Sequence, residues 1–269
     1  MNANITLVAT PIGNLSDMSA RAIETLKQAD VIYAEHPETS KKLAHAFHMG
    51  EKKWVLFDQN HEQELISKLV QDSQQYHVVV LARAGMPGVN DPGVYLVRYL
   101  LEQGIAFDVI PGPSIVACLM ATSGQFGPFH YLGYFPKKSS DATFQIFLSA
   151  QDGGTALYLE SPHRIQKTLS WLKEYLASCP SARMVLLHEF TKLHQAIYSG
   201  YVKDINLGLG EQEPVVGEWA FSLVVSAADL SSEYKLVATH ELEKLLNQPY
   251  SGRIEKFAKR YGIKLSSKE

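Results

Sequence analysis

The sequence predicts an α/β fold built as two α/β domains, and three observations predict it. Between residue 5 and about residue 122, short β-rich runs alternate with helical patterns, as βαβ units around a mostly parallel sheet do. The strand runs are nearly continuous in apolar residues, as expected where helices cover both faces of a sheet. A break follows at SGQFGPFH, residues 123–130, whose two glycines and one proline set off a second α/β pattern.

In chain order, the first strand is ITLVA (5–9). It leads into VATPIGNLSD (8–17), where Pro, Gly and Asn form a turn and a helix is predicted to start at Ser16 or Asp17. By itself this stretch reads as a plain βα turn, although such junctions are also where α/β proteins place ligands. Ala22, Leu26 and Ala29 mark one helical face, and VIYA (31–34) and WVLF (54–57) are the next two strands. Leu65, Leu69 and Val70 mark a second helical face before VVVLA (78–82), and AFDVI (106–110) closes the first domain's sheet. Beyond the break come YLGYF, TALYLE, ARMVLLHE and WAFSLVVS, separated by one or two helices and a loop-rich stretch over 199–218. The predicted organisation is an N-terminal α/β domain over 1–122, a C-terminal α/β domain over 123–226, and a partly helical tail over 227–269 punctuated by Pro249.

Composition bounds the function classes. A chain of 269 residues, 46% hydrophobic and 20% charged, can bury a full core. No apolar run approaches the ~20 residues of a membrane span. The N-terminus carries no basic stretch followed by an apolar one, and the two cysteines, Cys118 and Cys179, lie outside any C-x-x-C pattern; the expectation is a cytoplasmic protein without disulfides. A net charge of -3 does not announce a nucleic-acid binder. Local charge differs: Arg253, Lys256, Lys259, Arg260, Lys264 and Lys268 crowd the last 19 residues, either as a phosphate-binding helix or as a solvated helix face.

Three loops of the first domain fall at strand ends: ATPIGNLSD after the first strand, ARAGMPGVNDPG (82–93) after the fourth, and PGPS (111–114) after the fifth. Parallel strands end on one edge, so these loops should converge there. Gly permits close backbone approach and Pro restricts the chain, so the loops offer fixed N–H and C=O groups to a polar small molecule. Competing motifs are weaker. GLGEQ (208–212) lacks the third glycine of a dinucleotide fingerprint, and in HEFTKLH (188–194) the second histidine comes too late for a zinc-binding H-E-x-x-H. His45 and His48 have no third ligand, so no metal site is predicted. No G-x-S-x-G or G-x-x-x-x-G-K-[ST] occurs. Glu160, His163 and Arg164, and Glu189, Thr191 and Lys192, end two strands as either surface ion pairs or functional groups.

Taken in order, LVATPIGNLSD, AGMPGVNDPG, PGPS, YLGYFPKK, YLESPHR and HEFTK resemble the tetrapyrrole-methylase-like superfamily of S-adenosylmethionine-dependent methyltransferases, and within it the branch that methylates cytidine 2'-hydroxyls of small-subunit ribosomal RNA. The resemblance covers about residues 5–226. It implies two α/β domains with S-adenosyl-L-methionine folded in the cleft between them, usually a homodimer, with ribosomal RNA or the small ribosomal subunit as partner. By the same resemblance the cofactor contacts are Pro11, Gly85, Met86, Pro87, Ser114 and Ile115, with Tyr158 and the segment around Gly217 from the second domain. Two segments depart from the branch: E-D-T-R is Glu35, His36, Pro37 and Glu38 here, and S-D-A-G-T-P is Ala82, Arg83, Ala84, Gly85, Met86 and Pro87. The exchange of Arg for Glu38 removes a possible phosphate partner.

Methyl transfer to a ribose hydroxyl requires in-line alignment and removal of a proton, for which Glu35, Glu189 and Lys192 are the candidate catalytic residues. Two other readings accompany the leading one: a methyltransferase of the same fold acting on a small molecule or peptide, and a non-catalytic paralogue that only binds the cofactor.

Overall fold

The computed structural model describes residues 4–208, 215–230 and 240. It divides into two compact units, Met1–Ile115 and Val116–Glu269. The division falls after the first residue of the helix that follows PGPS, whereas the Gly/Pro-rich stretch begins at the end of that helix. The basic cluster from Arg253 to Lys268 lies outside the described residues, as does GLGEQ beyond Gly208.

The first unit is a five-stranded parallel sheet in the order β3-β2-β4-β1-β5, with β1 at Ile5–Val8, β2 at Val31–Ala34, β3 at Lys53–Leu56, β4 at Val78–Leu81 and β5 at Asp108–Ile110. Because side chains alternate across a strand, the apolar runs serve two cores. Val8, Ile32, Ala34, Val79 and Leu81 pack with Ala22 and Leu26 of α1 (Ala20–Gln28) and Leu43 of α2 (Pro37–Ala46). Ile5, Leu7, Tyr33 and Val80 pack with Ile66 and Leu69 of α3 (Glu62–Asp72) and Leu96 and Leu100 of α4 (Val94–Glu102). Both faces are covered, which is why alternation is absent from the strand sequences.

One helix start differs from the sequence reading. The helix predicted from Ser16 or Asp17 starts later: Leu15–Asp17 is a single 3-10 turn, and Ser19 caps α1 by accepting from the Ala22 amide at 3.1 Å. A serine at this position is worth about 1 kcal/mol over alanine; Asn14 caps only the 3-10 turn, accepting from the Ser16 amide at 2.9 Å, and the extended backbone at Met18 ends that turn before α1 begins.

In the second unit, after α5 (Ile115–Ser123), a mixed sheet runs β6-β7-β10-β8-β9, with β6 at Phe129–Tyr134, β7 at Thr155–Glu160, β8 at Arg183–His188, β9 at Ala196–Tyr201 and β10 at Trp219–Val224. Only β6 and β7 pair in parallel; β10 and its two neighbours, and β9 with β8, are antiparallel. One core joins α6 (Ser139–Gln151) and α7 (Ile165–Tyr175) to Tyr158, Phe221, Leu186 and Trp219. β9 overlaps the stretch read as loop from 199. It is an edge strand whose burial alternates between half-buried and exposed, but apolar Ile197 and Tyr201 fall on the exposed side and Gly200 on the half-buried one, so the residue types do not report that alternation.

Candidate functional site

The rim of the first sheet is assembled from backbone. Past β1, the Ala9 amide donates to the Ile110 carbonyl at 3.1 Å, and Thr10 and Gly85 exchange two amide-to-carbonyl bonds of 2.9 and 3.0 Å. Gly85 has φ +75°, and a Cβ there would stand 3.6 Å from Ile12 Cγ2 and 3.7 Å from the Pro113 carbonyl oxygen. The left-handed conformation, more than crowding, is therefore what asks for glycine. At Gly112 the reason is space, because a Cβ would lie 2.9 Å from the Ala9 Cβ. The loops after β1, β4 and β5 thus meet at Gly85 and Gly112, and they bring Pro11, Gly85, Met86, Pro87, Ser114 and Ile115 to one edge.

The long loop after β4 is also closed on itself. The Gly88 amide donates to the Pro92 carbonyl at 2.9 Å. Glu62, at the start of α3 and almost fully buried, accepts from the amides of Gly93 at 3.0 Å and Leu96 at 2.9 Å, and so caps α4 from a neighbouring helix. Nothing in the sequence distinguishes Glu62, because its partners lie 31 and 34 residues away.

One polar atom at the rim is left over. The Thr10 hydroxyl is buried and has no hydrogen-bond partner among the described residues. Buried hydroxyls are ordinarily satisfied. An orphan beside a glycine that holds the backbone bare fits a site that takes a polar ligand, and it fits the donor that the sequence implies.

Glu35 sits where β2 ends, and its Oε2 accepts from the Arg83 amide at 3.1 Å. Asp91, in the loop after β4, joins this cluster electrostatically. Burial, then the charge of Glu35, push its carboxyl up to about 6, against the opposing pull of Arg83. The position that Arg83 takes from a carboxylate therefore does not leave this neighbourhood without a second acid. Asp91 lies inside the loop 82–93, yet nothing in its sequence context distinguishes it from a turn-forming Asp. Glu38 takes part in local structure instead: it follows Pro37 in the first turn of α2 and pairs with Lys41 at 2.6 Å.

The second unit gathers Glu189, Lys192 and Gly217 at the end of β8. Glu189 has φ +46°; its Oε1 accepts from Lys192 Nζ at 2.8 Å and from the Glu218 amide at 2.8 Å. Lys192 also reaches Glu218 Oε2 at 3.1 Å. The hydrogen bond from Lys192 holds the Glu189 carboxyl below its usual value, and although burial opposes it, the bonds to Glu189 and Glu218 hold the Lys192 ammonium above its own. Gly217 has φ +83°, a conformation that favours glycine, and a Cβ there would lie 2.7 Å from Glu189 Cδ and push that carboxylate aside. Beside this knot His188 stacks on Trp219 with centroids 4.0 Å apart. Tyr158 lies within the core of β7, edge-on to Phe135 at 5.1 Å. Its hydroxyl has no partner among the described residues, and burial raises its pKa. Glu160 is buried as well, and accepts from the Ser161 amide at 2.7 Å and the Thr168 hydroxyl at 2.6 Å.

Comparison with known proteins agrees with this architecture. The model of the tetrapyrrole (corrin/porphyrin) methylases matches residues 4–206. Ribosomal RNA small subunit methyltransferase I of Coprothermobacter proteolyticus is 37% identical over 203 residues, 75% of this chain and 90% of the relative. The protein of that name from Streptococcus pyogenes serotype M6 is 32% identical over 246 residues, 90% of this chain and 83% of the relative. Among solved structures, uroporphyrin-III-C-methyltransferase from Thermus thermophilus superposes with a TM-score of 0.52 at 21% identity, covering 87% of this chain and 97% of that one. Diphthine synthase gives 0.58 at 15% identity, covering 82% and 89%. Two sheets, a rim of glycine- and proline-bearing loops, and a match across three quarters of the sequence lead to one assignment: the chain belongs to the tetrapyrrole (corrin/porphyrin) methylase family.

Proposed function

We propose that this protein transfers a methyl group from S-adenosylmethionine to a ribose 2'-hydroxyl, that of a cytidine in the RNA of the small ribosomal subunit. The observation that carries the acceptor is the 37% identity over 203 residues to a ribosomal RNA small subunit methyltransferase. The donor is supported by the rim, where three loops leave at one place bare backbone and a Thr10 hydroxyl without a partner among the described residues.

In this reading Pro11, Gly85, Met86, Pro87, Ser114 and Ile115 hold the donor mainly through backbone groups. Tyr158 and the segment around Gly217 enter this reading on resemblance alone. When bound, the donor supplies an electrophilic methyl carbon on a sulfonium. The chain's own work is to align the acceptor oxygen, exclude water and take the hydroxyl proton. Glu35 with Asp91 is the proposed acceptor of that proton: Glu35 Oε1 carries no hydrogen bond among the described residues, and a carboxyl near 6 is closer to a working base than an ordinary one. Glu189 and Lys192 hold each other in their charged forms and are proposed to order the end of β8. A homodimer and a cytoplasmic location complete the proposal. No helix among the described residues is long and apolar enough to cross a membrane.

The test is mass spectrometry of nucleosides from small-subunit RNA of cells with and without the gene, together with label transfer by pure protein. Loss of one 2'-O-methylcytidine, restored by the protein, is the expected result. An unchanged profile with intact donor binding moves the activity to a different acceptor, and absence of donor binding in calorimetry removes the methyltransferase reading.

A further inference from the structure

We infer that a basic groove at the carboxyl ends of β6 and β7 binds the phosphate backbone of the RNA acceptor; this rests on the RNA methyltransferase reading above. The groove encloses about 380 Å³; its floor includes apolar Phe135 and Trp171, and Lys137, Arg164 and Lys167 supply its charge. That volume is in the range of small-ligand pockets, ~300–1,000 Å³.

Its position follows from topology. β6 and β7 are parallel neighbours, so their carboxyl ends share one edge of the sheet, and each strand leads there into a helix. The N-termini of α6 and α7 therefore open on the same edge, and neither has a side-chain cap. Partial positive charge at two helix starts adds to the side chains. Arg164 is already fixed: its Nη1 donates to the Phe135 carbonyl at 3.1 Å, its Nη2 to the Pro136 carbonyl at 3.0 Å, and Glu160 lies 3.4 Å away. Lys137 and Lys167 are exposed and make no hydrogen bond or ion pair among the described residues, and exposed Lys138 adjoins them. Two acids are near in sequence. Glu160 is buried and already accepts from Ser161 and Thr168, and Asp141 is exposed in the first turn of α6.

Charge decides between ligands. S-adenosylmethionine carries a sulfonium and an ammonium against one carboxylate, so a cluster of lysines repels it. A phosphodiester chain is attracted, because each phosphate neutralised by a lysine releases condensed counterions. The chain as a whole bears a net charge of -3, which repels RNA, so a local basic surface is required for a polyanionic acceptor to dock.

The experiment uses the full chain, small ribosomal subunits from cells lacking the gene, and the double variant Lys137→Glu/Lys167→Glu. Both lysines are exposed, so the fold is expected to persist, checked by unchanged melting and unchanged calorimetric affinity for S-adenosylmethionine. Affinity for the subunits is expected to fall at least about tenfold near physiological salt. The slope of log affinity against log salt is expected to shrink by about 1.4, from ~0.7 for each of the two phosphates that the variant no longer neutralises. The variant Lys27→Glu/Lys68→Glu, with the same charge change on α1 and α3, is expected to keep the wild-type slope. Equal slopes for wild type and Lys137→Glu/Lys167→Glu, or an equal fall in the control, overturn the assignment of this groove. Wild-type protein that neither binds nor methylates the subunits overturns the function itself and this inference with it.

Discussion

The rim of the parallel sheet and the β8 end of the mixed sheet are both loop clusters at strand termini, and they are closed by different forces. At the rim, Thr10, Gly85, Gly112 and Ile110 are joined by backbone bonds and close packing, and the buried Thr10 hydroxyl finds no partner among the described residues. At the β8 end, Glu189, Lys192 and Glu218 are joined through charged side chains, and Gly217 makes room for one of them. Backbone closure leaves polar groups available to a ligand. Side-chain closure consumes them.

The largest effect expected from breaking this contrast is at Glu62, the buried charge on which the rim depends. Glu62→Ala leaves the Gly93 and Leu96 amides without an acceptor, and urea unfolding is expected to show a loss of about 2–3 kcal/mol. Glu62→Gln, which keeps one acceptor oxygen, should lose clearly less; equal losses would mean that the carboxylate packs without capping α4.

Next is Gly85→Val. A β-branched residue at φ +75° strains the backbone by roughly 1–3 kcal/mol, which the loop relieves by moving away from Thr10. Calorimetry is expected to give at least about tenfold weaker binding of S-adenosylmethionine, ~1.4 kcal/mol. Wild-type affinity in this variant would show that the donor does not depend on the backbone of the rim.

A smaller change is expected at the knot. Lys192→Met leaves Glu189 and Glu218 facing each other, and because the pair is partly open to solvent the loss of stability should be about 1 kcal/mol, less in high salt. Donor affinity should change far less than in Gly85→Val, because the knot touches the donor only through the segment around Gly217. If it falls as much as in Gly85→Val, the two clusters are not separate in function.

The smallest effect separates the clusters by sign. The native Asp91 carboxyl, raised to about 6, binds protons that the unfolded chain has already released, so its contribution to stability falls as pH rises from about 4 to 6. Asp91→Asn should gain up to about 1 kcal/mol near pH 7, after allowance for solvent screening of this half-buried group, and flatten that window. Glu189 runs the other way: its lowered value adds stability above the ordinary carboxylate range, lost as pH falls through it, and Glu189→Gln should remove that acid-side loss. Parallel pH profiles for the two variants would contradict the assigned environments.

How far the sequence reaches differs between these regions for the same reason. The inner strands of the first sheet, β1, β2 and β4, are short, buried and apolar, so composition alone marks them, and glycines at Gly85 and Gly112 sit in loops whose meeting follows from parallel pairing. Sequence places the start of α1 a few residues early because Asn14 and Ser19 both offer cap chemistry, and only the chain's direction after Met18 selects Ser19. β9 is illegible because its residue types do not follow its burial, with apolar Ile197 and Tyr201 on the exposed side. Glu189 and Lys192 are visible as charges, but the bond between Glu189 and Glu218, 29 residues apart, is not.

By itself the sequence determined the fold class, the order along the chain of every strand named above except β9, the loops that carry glycine and proline, and through their ordered motifs the family. These are local or one-dimensional properties, written in burial and in the allowed backbone angles of single residues. Tertiary structure alone decided that the Thr10 hydroxyl is buried without a partner among the described residues, that Glu62 caps a distant helix, that Asp91 shares its field with Glu35, and that α6 and α7 open on one edge beside Lys137 and Lys167. Each depends on groups brought together across many residues, and electrostatic and hydrogen-bond energies are set by distances that no spacing along the chain encodes.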